Sequence, residues 1–392
     1  MKRREFVAAT LLSLLAGQTS AAPRKTPPAK KPARPAARKT ISSATAPVID
    51  RPPDGSSASR LPPVKALEPP TNWQDFEITT SFRFHPSTPD PIRLWLPLPL
   101  NQDSLYQRTT SHRWRGNADL AGMRRLPDGD LELFFCEWQG GSEARLELTT
   151  TLSTADRVFD IARRSVAPER EDILRRNLQA SSLIPNDGPA HALGERIIGR
   201  IKDPVAQAKA IYDWVADNAT YRPELPAGSA GDVRQQFAQG QFGGRSAEIN
   251  GLFVALCRAI GIPARCVQGL RVGDSRLFGC LGITNQDATR QQHCRAEFYV
   301  PGYGWIPVDP SDVGRAKTLE GLSDHDGRLG SLKRVLFGVW EMNWVAYNVG
   351  TDLELPGSSR RIPVFMRAHL ETGDPGEATP ADIAIRVRRI TL

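Results

Sequence analysis

The stretch Gly243–Arg265, GGRSAEINGLFVALCRAIGIPAR, decides how the rest of the chain is read. A glycine loop ends at Gly244 and a helical period starts at once. Ile249, Leu252, Phe253, Leu256 and Ile260 recur every three or four residues and form one buried stripe. Gly261 stands where a left-handed C-cap belongs, and Pro263 prevents continuation, so the spacing predicts a helix from near Ser246 to Ile260. Ser246 then sits at the helix N-terminus, where unpaired N–H groups and positive partial charge stabilise a thiolate or an oxyanion. A serine there is equally an ordinary N-cap. Cys257 falls on the apolar stripe and reads as core.

Toward the C-terminus, ARCVQGLRV reads as a strand and residues 273–290 as a polar loop. HCRAEFYVPGYGWIPVDPSD follows as a hairpin that turns at Pro301-Gly302-Tyr303-Gly304. Alternation puts His293, Arg295, Glu297 and Tyr299 on one face. His293 and Asp309 are sixteen residues apart, so a tip near Pro301–Gly302 brings them opposite or diagonal on adjacent strands. A helix-start nucleophile, a strand histidine and a neighbouring aspartate make a recurring acyl-transfer arrangement. Each residue alone is weak evidence, since a strand histidine is usually structural and Asp-Pro commonly starts a turn. Neighbouring strand residues His293 and Cys294 point to opposite faces and cannot easily share an ion, and no CxxC pair offers a zinc site. Neither a metal nor a cofactor is expected.

Toward the N-terminus, residues 169–179 and 191–201 carry helical spacing, and Asp203-Pro204 opens a third helix with Ala208, Ile211, Tyr212 and Val215 along one face. A loop rich in Pro, Gly and Ala and a short DVRQQFAQ helix lead back to Gly243. Residues 71–155 hold FEITTSFRF, IRLWLPLPL, DLELFFCEW and ARLELTTTL, short runs between turn formers, which predict a small antiparallel sandwich without chemistry of its own. The prolines of LWLPLP suit an edge strand. The fold class is α+β: an antiparallel β-sandwich (71–155), then a core of helix on antiparallel sheet (160–330), then a C-terminal extension (331–392) packing on that core.

Residues 1–22 read as a secretory leader, with a basic start, an apolar run of about ten residues and small residues at the end. The order Arg3-Arg4-Glu5-Phe6 resembles a twin-arginine signal. Residues 23–70 form a disordered Pro/Ala-rich tether with ten Lys/Arg against Asp50, Asp54 and Glu68. These two segments carry +9 and residues 71–392 carry −1, which gives the chain's net +8. The folded part thus offers no basic face for nucleic acid, whereas the tether is suited to an anionic envelope polymer. No apolar run reaches the roughly 18 residues needed to span a bilayer. Cys136, Cys257, Cys266, Cys280 and Cys294 are an odd number in an exported chain, so at least one is free or paired with another chain.

The helix GxxSAEINGLFVALCRAxGIPAR and the hairpin after it closely resemble the transglutaminase-like superfamily of papain-like cysteine enzymes, in particular bacterial exported members with an N-terminal β domain. IYDWVADNATYR (211–222), GDVRQQF (231–237) and FGVWEMNWVAYNVGTDLELPGS (337–358) extend the resemblance over roughly residues 75–360. It implies a papain-like core and a Cys–His–Asp site, with His293 as base and Asp309 as its orienting acid. Ser246 stands where the family has its nucleophilic cysteine, and Gly228-Ser229-Ala230 where related sequences commonly read Gly-Cys-Gly. Helix and histidine lower a cysteine pKa from about 8.5 into the range of roughly 3.5–7.5, but no comparable shift ionises a serine at neutral pH. Ser246 would have to attack while His293 takes its proton, with Oγ about 2.6–3.2 Å from the imidazole. The resemblance therefore implies a silent or attenuated domain that binds a protein or peptidoglycan peptide in the family cleft. The alternative is a Ser246–His293–Asp309 amidase, peptidase or acyl transferase.

Overall fold

Apolar alternation builds the first part of the fold, seen here in a computed structural model. It describes residues 70–391 apart from 101–103, 127–128, 161–165, 227, 229, 359 and 373–382. The leader and all but the last residue of the tether lie outside the described residues. Six strands come first: β1 (Trp73–Phe84), β2 (Ile92–Pro97), β3 (Gln107–Gly116), β4 (Leu120–Leu126), β5 (Leu131–Trp138) and β6 (Ala144–Ala155). Five helices follow, α1 (Glu171–Arg176), α2 (Gly188–Ile198), α3 (Pro204–Asn218), α4 (Val233–Gln239) and α5 (Ser246–Ala259). Then come β7 (Ala264–Arg271), β8 (Arg295–Val300), β9 (Gly304–Val308), α6 (Pro310–Leu319), α7 (Gly327–Val335), β10 (Trp344–Asn348), β11 (His369–Glu371) and β12 (Ile383–Ile390).

Two antiparallel sheets, ordered β12-β1-β6-β3 and β11-β2-β5-β4, enclose Phe82, Leu94, Phe134, Trp138 and Leu146. A third, β9-β8-β7-β10, carries α5 on its face. Ile249, Leu252, Phe253 and Leu256 of α5 are essentially fully buried, and the Phe253 ring meets Phe298 of β8 edge-on. Asp203 caps α3 by accepting from Ala206 N–H at 2.8 Å. Gly261 ends α5 at φ 87°, a left-handed conformation that glycine adopts without a Cβ clash. No helix among the described residues is long and apolar enough to cross a membrane.

Two expectations are corrected. The LWLPLP strand, β2, lies inside its sheet rather than at the edge, because the short β11 pairs with Arg93–Trp95 and stops before Pro97. The missing Pro97 donor therefore faces no neighbour on that side. The C-terminal residues are an extension on the core only in part, through Leu332, Leu336 and Met366. Strand β10 completes the core sheet, while β11 and β12 return to the sandwich and pair with β2 and β1. The β12 sequence IAIRVRRI buries Ile383 and Val387. It covers an edge of β1 that would otherwise present an open ladder.

Candidate functional site

The loop before α5 forces its glycines. Gly243 has φ 144°, and a Cβ there would stand 2.3 Å from the Thr220 carbonyl oxygen. The chain can therefore pass close to α3's end and enter the helix at Arg245, which is the N-cap. Its N–H donates to Glu248 Oε2 at 2.9 Å. Ser246 is thus the first helical residue and not the cap, a correction to the capping reading above. Its Oγ instead accepts from the Cys294 N–H across the cleft, at 3.0 Å.

The hairpin brings the other two expected residues together. Ala296 pairs with Val308 and Val300 with Gly304, so one more step sets Asp309 opposite Arg295 and diagonal to His293. His293 Nε2 lies 2.7 Å from Asp309 Oδ2. Asp309 is also the N-cap of α6, accepting from Asp312 N–H at 3.2 Å and from the Ser311 hydroxyl at 2.6 Å. Its carboxylate serves both the cap and the histidine. Ser246, His293 and Asp309 are 6%, 4% and 0% exposed. No hydrogen bond joins Ser246 to His293 among the described residues.

Four further residues complete the site, and the sequence reading did not single them out. Asn250, one turn after Ser246, donates to the Cys294 carbonyl, Asp309 Oδ1 and Ser311 Oγ at 2.8, 3.1 and 3.0 Å. Ser311 is one of those partners. Arg271, at the end of β7, places one guanidinium nitrogen 3.1 Å from His293 Nδ1 and 3.3 Å from Nε2. The same nitrogen donates to Asp312 Oδ1 at 2.5 Å, and the other terminal nitrogen donates to the Leu281 carbonyl. Asn250 could have been noticed as a polar residue on an apolar face four positions after Ser246. Arg271 gave no local signal.

Burial, and after it the Arg271 guanidinium, push the His293 imidazole well below its usual pKa, against the pull of Asp312. Both favour the neutral form of the ring. A thiolate–imidazolium pair requires the opposite state of this ring. His293, Asp309 and Asp312 also offer ligand atoms within 4.8 Å of one another. Arg271 already pairs with Asp312, and Arg295 Nε stands 3.6 Å from Asp309 Oδ2. These guanidinium groups offset the negative charge that would attract a divalent cation, so the cluster is poorly suited to a metal. All five cysteines are free, and Cys257 is buried in the core as its position on the stripe implied.

The sequence profile of the transglutaminase-like superfamily matches residues 191–310, a range that holds α5, His293 and Asp309. An uncharacterized protein of Haemophilus influenzae is 31% identical over 302 residues, covering 72% of this chain and 81% of that protein. Among solved structures, a putative cysteine protease from Cytophaga hutchinsonii is similar at 18% identity, over 81% of this chain and 99% of that one, with a TM-score of 0.47. The periplasmic domain of TgpA from Pseudomonas aeruginosa is similar at 18% identity, over 60% of this chain and 95% of that one, with a TM-score of 0.33. The profile match spans the core helix and the hairpin, and this chain belongs to the transglutaminase-like superfamily.

Proposed function

We propose that this chain is a catalytically silent transglutaminase-like domain of the bacterial envelope, which binds a protein or peptidoglycan peptide in the family cleft. The observation that carries the reading is the contact of Arg271 with the His293 ring, 3.1 Å from Nδ1. With burial, it favours the neutral ring, beside a hydroxyl that is turned to Cys294 N–H. A serine so placed has no base in hydrogen-bond contact and gains nothing from the helix N-terminus that would ionise it. The decisive assay is turnover by the native protein. Amine incorporation, or release of peptide or amide products, that disappears in Ser246→Ala would sink the proposal. Its place in the envelope rests on the leader and the basic tether; recovery of the whole chain from the cytoplasm with residues 1–22 intact would overturn that part.

The 2.7 Å contact between His293 and Asp309 favours a second reading, a Ser246-dependent amidase, peptidase or acyl transferase. Fluorophosphonate probes separate the two. The silent reading expects no adduct at Ser246 in folded protein, and an adduct lost in His293→Ala would establish the second reading instead.

A further inference from the structure

Between the sandwich and the loop that runs into His293 lies a cavity of about 360 Å³. Its walls are largely apolar, with Leu96, Tyr347, Met366 and Ile385 among them. Two arginines, Arg290 and Arg367, also line it, and no carboxylate does. Among the described residues neither arginine stands within ion-pair distance of an acid. Asp287, close to Arg290 in sequence, has its carboxylate on the Thr289 N–H at 2.9 Å.

The cavity adjoins the site already described. A Cβ at Gly228 would meet Arg367 Cδ at 2.5 Å and Gln292 Cβ at 3.4 Å, so the Arg367 stem crosses the loop at Gly228. The same loop bears on the start of α5, where a Cβ at Gly231 would stand 2.7 Å from the Ala247 carbonyl oxygen. Gln292 lines the cavity and immediately precedes His293. Neither guanidinium is in ion-pair contact with an acid, although the charge of Arg290 acts on Asp287, and an anion in the cavity would be attracted by both arginines. A carboxylate fits best, because each guanidinium can hold it through two parallel N–H···O bonds. The volume falls in the range of small-ligand sites, about 300–1,000 Å³, and suits a dipeptide-sized group better than a long polymer.

We propose that this cavity binds the free carboxylate of a peptide, with an apolar side chain of the same peptide against Leu96, Met366 and Ile385. The proposal deepens the peptide-binding reading and rests on it, by naming the end of the peptide that is recognised. Calorimetric titration of the full chain with acetyl-leucyl-leucine, and with its C-terminal amide, tests it. The acid is expected to bind about tenfold tighter than the amide, and Arg290→Gln and Arg367→Gln should each weaken the acid by about tenfold while leaving the amide unchanged. Equal affinity for acid and amide, or unchanged acid affinity in both variants, would overturn the proposal. So would displacement by inorganic phosphate at the concentration at which the acid itself competes, since the site would then be a general oxyanion site. Hydrolysis of the probe by the native protein would overturn catalytic silence and leave the binding result standing. Arg290 is exposed, so its replacement tests charge recognition without disturbing a core.

Discussion

Ser246→Cys alone is expected to give a thiol of ordinary reactivity, whereas Ser246→Cys combined with Arg271→Met is expected to give an activated one. A cysteine with a pKa near 8.5 is about 1% ionised at pH 6.5, and one activated by an imidazolium is about half ionised or more. The new thiol can lose its proton to His293 only if the ring accepts a positive charge. Burial opposes that, and Arg271, 3.1 Å from Nδ1, opposes it further. Replacing Arg271 removes the repelling charge and frees Asp312, whose Oδ2 lies 3.7 Å from His293 Nε2, to favour the imidazolium. Alkylation of residue 246 by iodoacetamide, located by peptide mass spectrometry, reads the difference. After allowance for the lower nucleophilicity of a more acidic thiol, the double variant should react roughly tenfold faster near pH 6.5. Equal rates would mean that Arg271 does not govern His293, and the silent reading would lose its main support. Arg271→Met also unpairs a buried carboxylate, so circular dichroism on the same samples must show a folded protein.

The parts of this site that were legible in the sequence are those set by local geometry. Helix α5 has its apolar period, its glycines and Pro263 within one stretch, and the hairpin register follows from one turn and a two-residue alternation. Helix α6 opens on the same Asp-Pro signal as α3, and Asp309, the residue after β9, is its N-cap. Arg271 was not legible, since its partners His293 and Asp312 are 22 and 41 residues away and reach it across different elements. The direction of the Ser246 hydroxyl likewise depends on an N–H 48 residues further on. Strand β2 looked like an edge because the residues that cover it arrive only at His369–Glu371, from the far end of the chain. Local pattern fixes which residues form an element, and long-range pairing fixes which of its sides is taken.

Glu297→Ala should cause the largest single loss of stability. Glu297 lies on β8, is 2% exposed, and accepts from Arg157 at 2.5 Å and from Arg265 at 2.6 Å. Arg157 follows β6, donates to the Trp305 carbonyl at 2.7 Å and lies against the Tyr106 and Trp340 rings. Arg265 stacks over Trp305. One carboxylate thus joins the end of the sandwich to two strands of the core sheet. Alanine would leave two largely buried positive charges facing each other, and unpairing a single buried charge already costs about 3–5 kcal/mol. A loss in that range, read from urea midpoints at pH 7, is expected; under about 1 kcal/mol, the range of surface pairs, would mean that water reaches the triad. The pH dependence gives a second check. Burial raises the Glu297 carboxyl, but Arg265 and Arg157 outweigh it and hold the group below its usual range. The unfolded chain therefore takes up this proton first, so the stabilisation is complete above about pH 4.5 and drains away as the pH falls further. Glu297→Gln, which keeps the shape and removes the titration, should lower the stability at pH 7 and flatten that acid limb. A limb of unchanged slope would place the acid sensitivity in other carboxylates. The triad shares its strand line with His293, so the same loss should loosen the hairpin that holds His293 to Asp309.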